Sequence, residues 1–175
     1  MKTKISIITI AKNEQEMIED CLKSCCWADE IILLDGGSID KTLDIAGKYK
    51  AKIIPQEVKT EDWGAWHNQG KKEASGDWIF YLDADERVTP CLRAEIENLK
   101  LGMENKIGAL AIPRQNILLG KPMRFGGWYP DYQIRLFKKD KLLRWEGKLH
   151  ERPIFEGELG YLKNHMLHLT HRNLS

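Results

Sequence analysis

Trp78-Ile79-Phe80-Tyr81-Leu82 is an unbroken apolar run that stops abruptly at Asp83-Ala84-Asp85-Glu86. Such a run reads as a strand covered on both faces, because no position along it is suited to water. The acids then fall at its carboxyl end, which is the edge where open α/β sheets bind ligands. Two carboxylates one residue apart repel each other, and a cation relieves that cost. Hard oxygen donors placed there can hold a divalent metal, and a metal can hold a diphosphate. The plain alternative is a solvated helix start, with Glu86 complementing the helix dipole. An EF-hand loop does not fit, since Arg87 and a missing glycine break its pattern.

The rest of the first half alternates strand and helix. Ile5–Ile10 is nearly all β-branched, as a doubly covered strand requires. Asn13 to Cys26 carries apolar residues at helical spacing, and Ile31–Leu34 is a second apolar run ending at Asp35-Gly36-Gly37-Ser38. Ser38 or Asp40 can cap the helix bearing Leu43, Ile45, Ala46 and Tyr49. Lys52–Pro55 is a short third strand, and Gly64–Ser75 reads as a helix ended by Gly76. Thr89-Pro90 has the N-cap and first-position residues of a further helix. The alternation argues for a mainly parallel sheet with helices on both faces. After about Leu101 the pattern changes to short mixed runs among Gly120, Pro122, Gly126-Gly127 and Pro130, expected to form hairpins and loops across the ligand edge.

Charge narrows the function classes. The 175 residues carry 27 Lys and Arg against 26 Asp and Glu, a formal net charge of +1, so electrostatic nucleic-acid binding is not indicated. No apolar run reaches transmembrane length, and Met1 to Ile10 lacks the features of a signal peptide. A cytoplasmic chain is expected. Cys21, Cys25, Cys26 and Cys91 form neither a C-x-x-C pair nor a zinc pattern, and read as packing thiols. His165–Thr170 looks like a strand entering the fold, yet the chain stops soon after at Asn173-Leu174-Ser175. A truncated end is one reading of this.

Several residues are candidates for chemistry. Asp35 can accept hydrogen bonds from a base or ribose, although Asp-Gly is also ordinary turn chemistry. Asn13-Glu14 can do the same at the end of the first strand, or can simply begin a helix. Asp85 is expected to face the metal, and Asp83 the ribose or the metal through water. Glu151, after His150, can take a proton from an acceptor hydroxyl, or can be a surface turn. His168 is either a further metal ligand or a hydrogen-bonded structural histidine. Arg114, Lys121, Arg124 and Arg135 can grip phosphate. Trp63, Trp66 and Trp145 suit either stacking or a core, while Trp128-Tyr129 beside Pro130-Asp131 is the expected acceptor contact.

Taken together, these segments resemble family 2 glycosyltransferases of the GT-A fold. The resemblance rests on Ala11-Lys12-Asn13-Glu14, Asp35-Gly36-Gly37-Ser38-Ile39-Asp40, His67-Asn68, Ala74-Ser75-Gly76-Asp77-Trp78 and Leu82-Asp83-Ala84-Asp85-Glu86. Trp128 to Phe137 and Gly147-Lys148-Leu149-His150-Glu151 are most similar to the bacterial lipopolysaccharide-core β-glucosyltransferase group. The resemblance implies one GT-A domain over residues 1–175, with a nucleotide-sugar half at 1–101 and an acceptor half at 102–175. It implies an inverting transfer from a UDP-sugar, with Mg²⁺ or Mn²⁺, to a saccharide or lipid-linked acceptor at the inner membrane face. On it, Asn13, Glu14, Asp35, Asn68 and Asp83 bind the donor, and Asp83, Asp85 and His168 bind the metal. Glu151 and Asp131 are the catalytic candidates. His67 departs from the arginine commoner in this group.

Two other classes compete. A phosphatase of the haloacid dehalogenase type also ends a strand in D-x-D, but Arg87 is atypical there and the motif comes late in the chain. A non-catalytic nucleotide- or sugar-binding module is the second. No G-x-G-x-x-G follows the first strand, so a Rossmann dehydrogenase fits poorly.

Overall fold

The structure, a computed structural model, describes residues 3–56, 62–99, 106–126 and 128–171. Gly127 and the terminal Asn173-Leu174-Ser175 lie outside the described residues. Four parallel strands form one half of the main sheet: β1 (Ile5–Ala11), β2 (Glu30–Asp35), β3 (Lys52–Pro55) and β4 (Trp78–Tyr81). Their order is β3-β2-β1-β4. The register sets Ala11 beside Asp35 and Ile8 beside Tyr81, so the residues following β1, β2 and β4 emerge along one edge. All four residues of β4 are buried, as the apolar run demands.

Side chains alternate between two cores. Ile7, Leu33 and Phe80 pack on one face, with Ile18, Cys21, Leu22 and Cys25 of α1 (Ile18–Cys25). Ile8, Ile32, Leu34, Ile79 and Tyr81 pack on the other, under α3 (Trp63–Glu73) and beside Trp145. Both cores are hydrophobic layers on one sheet, the arrangement expected when helices cover both faces. Trp145 is buried within the second of these cores, and Trp66 of α3 is also buried. All four cysteines are free thiols, with Cys21 and Cys25 buried.

Helix boundaries differ from the sequence reading. The helix expected from Asn13 begins at Ile18, because Asn13 has a positive φ of 57° and residues 14–17 form a turn. Asp40 sits two residues ahead of α2 (Thr42–Lys48), and its carboxylate accepts from the Thr42 N–H. Asp62, not singled out from sequence, caps α3 by accepting from the Ala65 N–H at 2.9 Å. Gly76 lies three residues beyond the end of α3 and does not cap it. It lets the chain press on β1, where a Cβ would sit 2.7 Å from the Ser6 nitrogen. Thr89 caps α4 (Pro90–Leu99) as expected, its hydroxyl accepting from the Leu92 N–H.

The second half contributes more sheet than expected. Glu86 begins a short strand, β5 (Glu86–Val88), and not the solvated helix start of the plain alternative. β6 (Ile107–Leu118) is 12 residues long. β8 (Asp131–Lys138) lies antiparallel between β4 and β6, with the two-residue β7 (Lys121–Pro122) paired to β6. β9 (Leu142–Glu146) and β10 (Arg152–Phe155) form a separate hairpin sheet. β11 (Glu158–Tyr161) runs beside β6. β12 (Met166–His171) runs between β6 and β5. Among the described residues no helix is long and apolar enough to cross a membrane.

The β9–β10 connection is fastened to α3. The Trp63 and Gly64 N–H groups, unpaired within the helix, donate to the Lys148 and Gly147 carbonyls at 3.0 and 3.2 Å. Close approach requires glycine at 64, because a Cβ there would lie 2.5 Å from the Gly147 carbonyl oxygen. Alanine gains up to about 1 kcal/mol in helix propensity over glycine. The clash is with backbone and outweighs it. Gly64→Ala is expected to destabilise by roughly 1–3 kcal/mol, the usual cost of overpacking. Urea denaturation should show a lower midpoint; an equal or higher midpoint would mean that α3 does not depend on this contact.

Candidate active site

The edge formed by β1 and β4 opens into a cleft of about 370 Å³ lined by Ile10, Glu14, Trp63, His67, Asp83, Ala84, Asp85, Leu149, Glu151 and His168. These residues come from both halves of the chain. Asp83 and Asp85 follow β4, Glu14 follows β1, and Glu151 precedes β10. The fastening of Lys148 to α3 brings Leu149 and Glu151 over the acids. β12 delivers His168: it pairs opposite Glu86, and the Leu169 N–H donates to the Asp85 carbonyl at 2.9 Å.

Asp85 and His168 face each other, with Oδ2 and Nε2 separated by 3.2 Å. Asn116, buried on β6, settles the polarity of the histidine. Its Nδ2 donates to the Trp128 carbonyl at 3.2 Å, which turns Oδ1 toward His168 Nδ1 at 2.7 Å. Nδ1 therefore carries the proton that Asn116 accepts. Nε2 is left facing a carboxylate oxygen, and two such atoms need a proton or a cation between them. Burial alone would raise the Asp85 carboxyl; the His168 bond and charge, with help from Arg135, outweigh it and hold the carboxyl below its usual range. One carboxylate and one imidazole fit Mn²⁺ or Mg²⁺, which take few protein ligands when phosphate oxygens complete their shell. Among the described residues no three His, Cys, Asp or Glu side chains gather to hold a metal by themselves.

Asp83 is not grouped with that pair. Its Oδ2 is bonded by Arg135 Nη2, which also donates to Glu86 Oε1 at 3.0 Å. Glu86 is completely buried, and Arg114 lies 3.5 Å from the same Oε1. Arg114 in turn pairs with Asp131 at 2.6 Å. The expectation that these arginines grip phosphate is thus corrected: both are committed to internal acids. Asp131 lies apart from the acids of the cleft. Its oxygens accept from Arg114 and Gln133, which outweigh burial and lower its carboxyl, and it does not line the cleft. The cross-strand register sets Arg114 opposite Asp131, so the ion pair follows directly from strand pairing.

The remaining donor-side candidates divide. Glu14 lines the cleft, and burial, then Asp85 and Asp40, raise its carboxyl. Asn13 and Asp35 stand at the same sheet edge but outside the cleft lining. Asp35 is 8% exposed and accepts from the Gly37 and Ser38 N–H groups of its own turn. Asn13 accepts from the Ile39 N–H, which knits the two turns together. Asn68 is used elsewhere: its amide both donates to and accepts from the Trp145 backbone, tying α3 to β9. Trp128 is half-exposed.

Sequence reasoning missed Asn116, Glu86 and the internal role of Arg135. Only Glu86 had a local signal, since a third acid after Asp83 and Asp85 cannot remain charged in a dry site without a cation.

Residues 6–153 match the profile of glycosyl transferase family 2, and the chain belongs to that family. Lipopolysaccharide core biosynthesis glycosyltransferase LpsC of Rhizobium meliloti is 27% identical over 168 residues, covering 91% of this chain and 60% of LpsC. Poly(ribitol-phosphate) beta-glucosyltransferase of Bacillus spizizenii is 33% identical over 96 residues, covering 49% of this chain and 15% of that protein. Among solved structures, S. aureus TarS 1-349 in complex with UDP superposes with a TM-score of 0.69 at 17% identity, covering 95% of this chain and 60% of that one. Glucosyl-3-phosphoglycerate synthase of Mycobacterium tuberculosis, in complex with Mn²⁺, UDP and glucosyl-3-phosphoglycerate, gives 0.52 at 24% identity over 65% and 44% of the two chains. The fold is therefore GT-A, which sets aside the dehalogenase alternative. The chain spans 60% or less of the length of each of these four.

His67 has a distinct signature. Its ring is buried against Trp145 and Tyr81, and Nδ1–H donates to the Trp63 carbonyl at 2.7 Å. Burial lowers its pKa to about 4, so the ring is neutral in the folded protein at pH 7. The unfolded chain takes up this proton below about pH 6.5 and the folded chain only near pH 4. Acidification across that window therefore costs stability, up to ~3 kcal/mol from this residue. The difference in unfolding free energy between the protein and His67→Phe should shift by that amount between pH 7 and pH 4. A pH-independent difference would show that the ring titrates normally.

Proposed function

We propose that this chain carries the donor-binding and catalytic part of an inverting glycosyltransferase. It would move a hexose from a UDP-sugar such as UDP-glucose to a saccharide or lipid-linked acceptor in cell-envelope glycan or lipopolysaccharide synthesis. The observation that carries this reading is the meeting of Glu14, Asp83, Asp85, Glu151 and His168 around one cleft at the carboxyl edge of the sheet. Family membership and the names of LpsC and the Bacillus spizizenii glucosyltransferase support the envelope setting. The UDP bound to TarS and the Mn²⁺ and UDP bound to the mycobacterial synthase support the choice of donor and metal. Free thiols fit a cytoplasmic site, and a lipid-linked acceptor would bring the protein to the inner membrane face.

In this reading the nucleoside lies across the strand-end turns holding Asn13 and Asp35, and Asp83 accepts from the ribose. Asp85 and His168 would hold Mn²⁺ or Mg²⁺, which when bound supplies positive charge to the diphosphate oxygens. Glu151, on the loop above, removes the proton from the acceptor hydroxyl as that oxygen attacks the anomeric carbon. Attack from the face opposite the diphosphate inverts that centre, by the same geometry as in inverting glycosidases. Trp63 and Leu149 at the rim exclude water from the sugar.

UDP with Mn²⁺ should raise the melting temperature of the protein more than either alone, because both bind only the folded state. Asp85→Ala should abolish that synergy and the transfer reaction. Glu151→Gln should retain the shift while turnover falls roughly 10²–10⁴-fold. Full turnover in Glu151→Gln would remove it from the base role. Saturable UDP binding with no transfer to any saccharide acceptor would favour the non-catalytic module instead.

A further inference from the structure

The cleft's first acid does not stand alone. We infer that Arg135 is a positioning residue that anchors Asp83 for the donor, not merely the counter-ion of a buried glutamate. The inference rests on the donor reading above.

Strand pairing places the guanidinium. β4 and β8 align Phe80 with Leu136, so Arg135 falls one step further toward the carboxyl end of β4, beside the acids. Its side chain is 12% exposed, and Glu86 beneath it is 0% exposed. Nη2 spans Asp83 Oδ2 and Glu86 Oε1, and Glu86 Oε2 accepts the Asp83 N–H at 3.1 Å. Asp83 is thus gripped through both its backbone and one carboxylate oxygen, yet its side chain is 44% exposed. One side of the carboxylate is immobilised from below while the group still opens on the cleft. Asp85, two residues on, has no such anchor and meets His168 instead. The arginine therefore separates the tasks of two acids that a short sequence motif makes alike.

A structural role and a positioning role predict different results once Glu86 is neutralised. Replacing a buried ion pair by uncharged residues is often neutral for stability. Arg135→Met with Glu86→Gln should therefore fold, and Glu86→Gln alone should keep the Arg135–Asp83 contact. Calorimetric titration of UDP with Mn²⁺ should show a smaller loss of affinity for Glu86→Gln, which keeps the Arg135–Asp83 bond, than for the double variant. Affinity should be about tenfold weaker for the double variant, the size of coupling expected between bonded neighbours. Adding Asp83→Ala to the double variant should cost little more, because the anchored group is already lost. In Arg135→Lys, which keeps a cation but not the planar fork, the donor KM should rise with kcat little changed. Wild-type affinity in the double variant, or an unchanged KM in Arg135→Lys, overturns the inference. A wild-type protein that binds no UDP defeats the donor reading first, so the two failures are distinguishable.

Discussion

A strand dry on both faces cannot carry an unpaired charge, and this constraint on β4 organises the molecule. Phe80 packs into one core and Ile79 and Tyr81 into the other, so polar chemistry can begin only where the strand ends. Parallel pairing of β1 with β2 and β4 then aligns the strand ends, since neighbouring parallel strands share one direction. The cleft is a consequence of where burial stops.

Gathering acids at a half-dry edge creates an electrostatic problem, and the second half of the chain answers it. Glu86 is fully buried, and burial raises its carboxyl above the usual range, against the pull of Arg135 and Arg114. The neighbouring acids raise the Arg135 pKa despite its burial, so its charge is permanent. His168 takes the other side of the site by meeting Asp85. The second half of the chain therefore contributes more than a lid: β6, β8 and β12 carry the basic groups that let the acids following β4 coexist. Asn116 extends the arrangement to the backbone of half-exposed Trp128, joining it to the Asp85–His168 pair by two hydrogen bonds.

Much of this could be read along the chain. Ile5–Ile10, Ile31–Leu34 and Trp78–Leu82 announce buried strands by composition, and Thr89-Pro90 announces a helix start by local chemistry. The motif residues drew attention to Glu14, Asp83, Asp85, Glu151 and His168, which all line one cleft. The reading failed where a side chain's partner is far away in sequence. Asp131 looks like a base until β6 sets Arg114 opposite it. Asn68 looks like a donor contact until β9 occupies both ends of its amide.

Local sequence determined the order of strands and helices and placed acids at strand ends, because periodicity, capping and burial act over a few residues. Only tertiary structure decided which acids stay open to a ligand. That choice depends on which cation lies within about 3 Å, and Coulomb interactions at that range are set by cross-strand register, not by distance along the chain. Arg135 is 52 residues from Asp83 and bonded to it, whereas Asp85, two residues away, answers to a histidine on another strand.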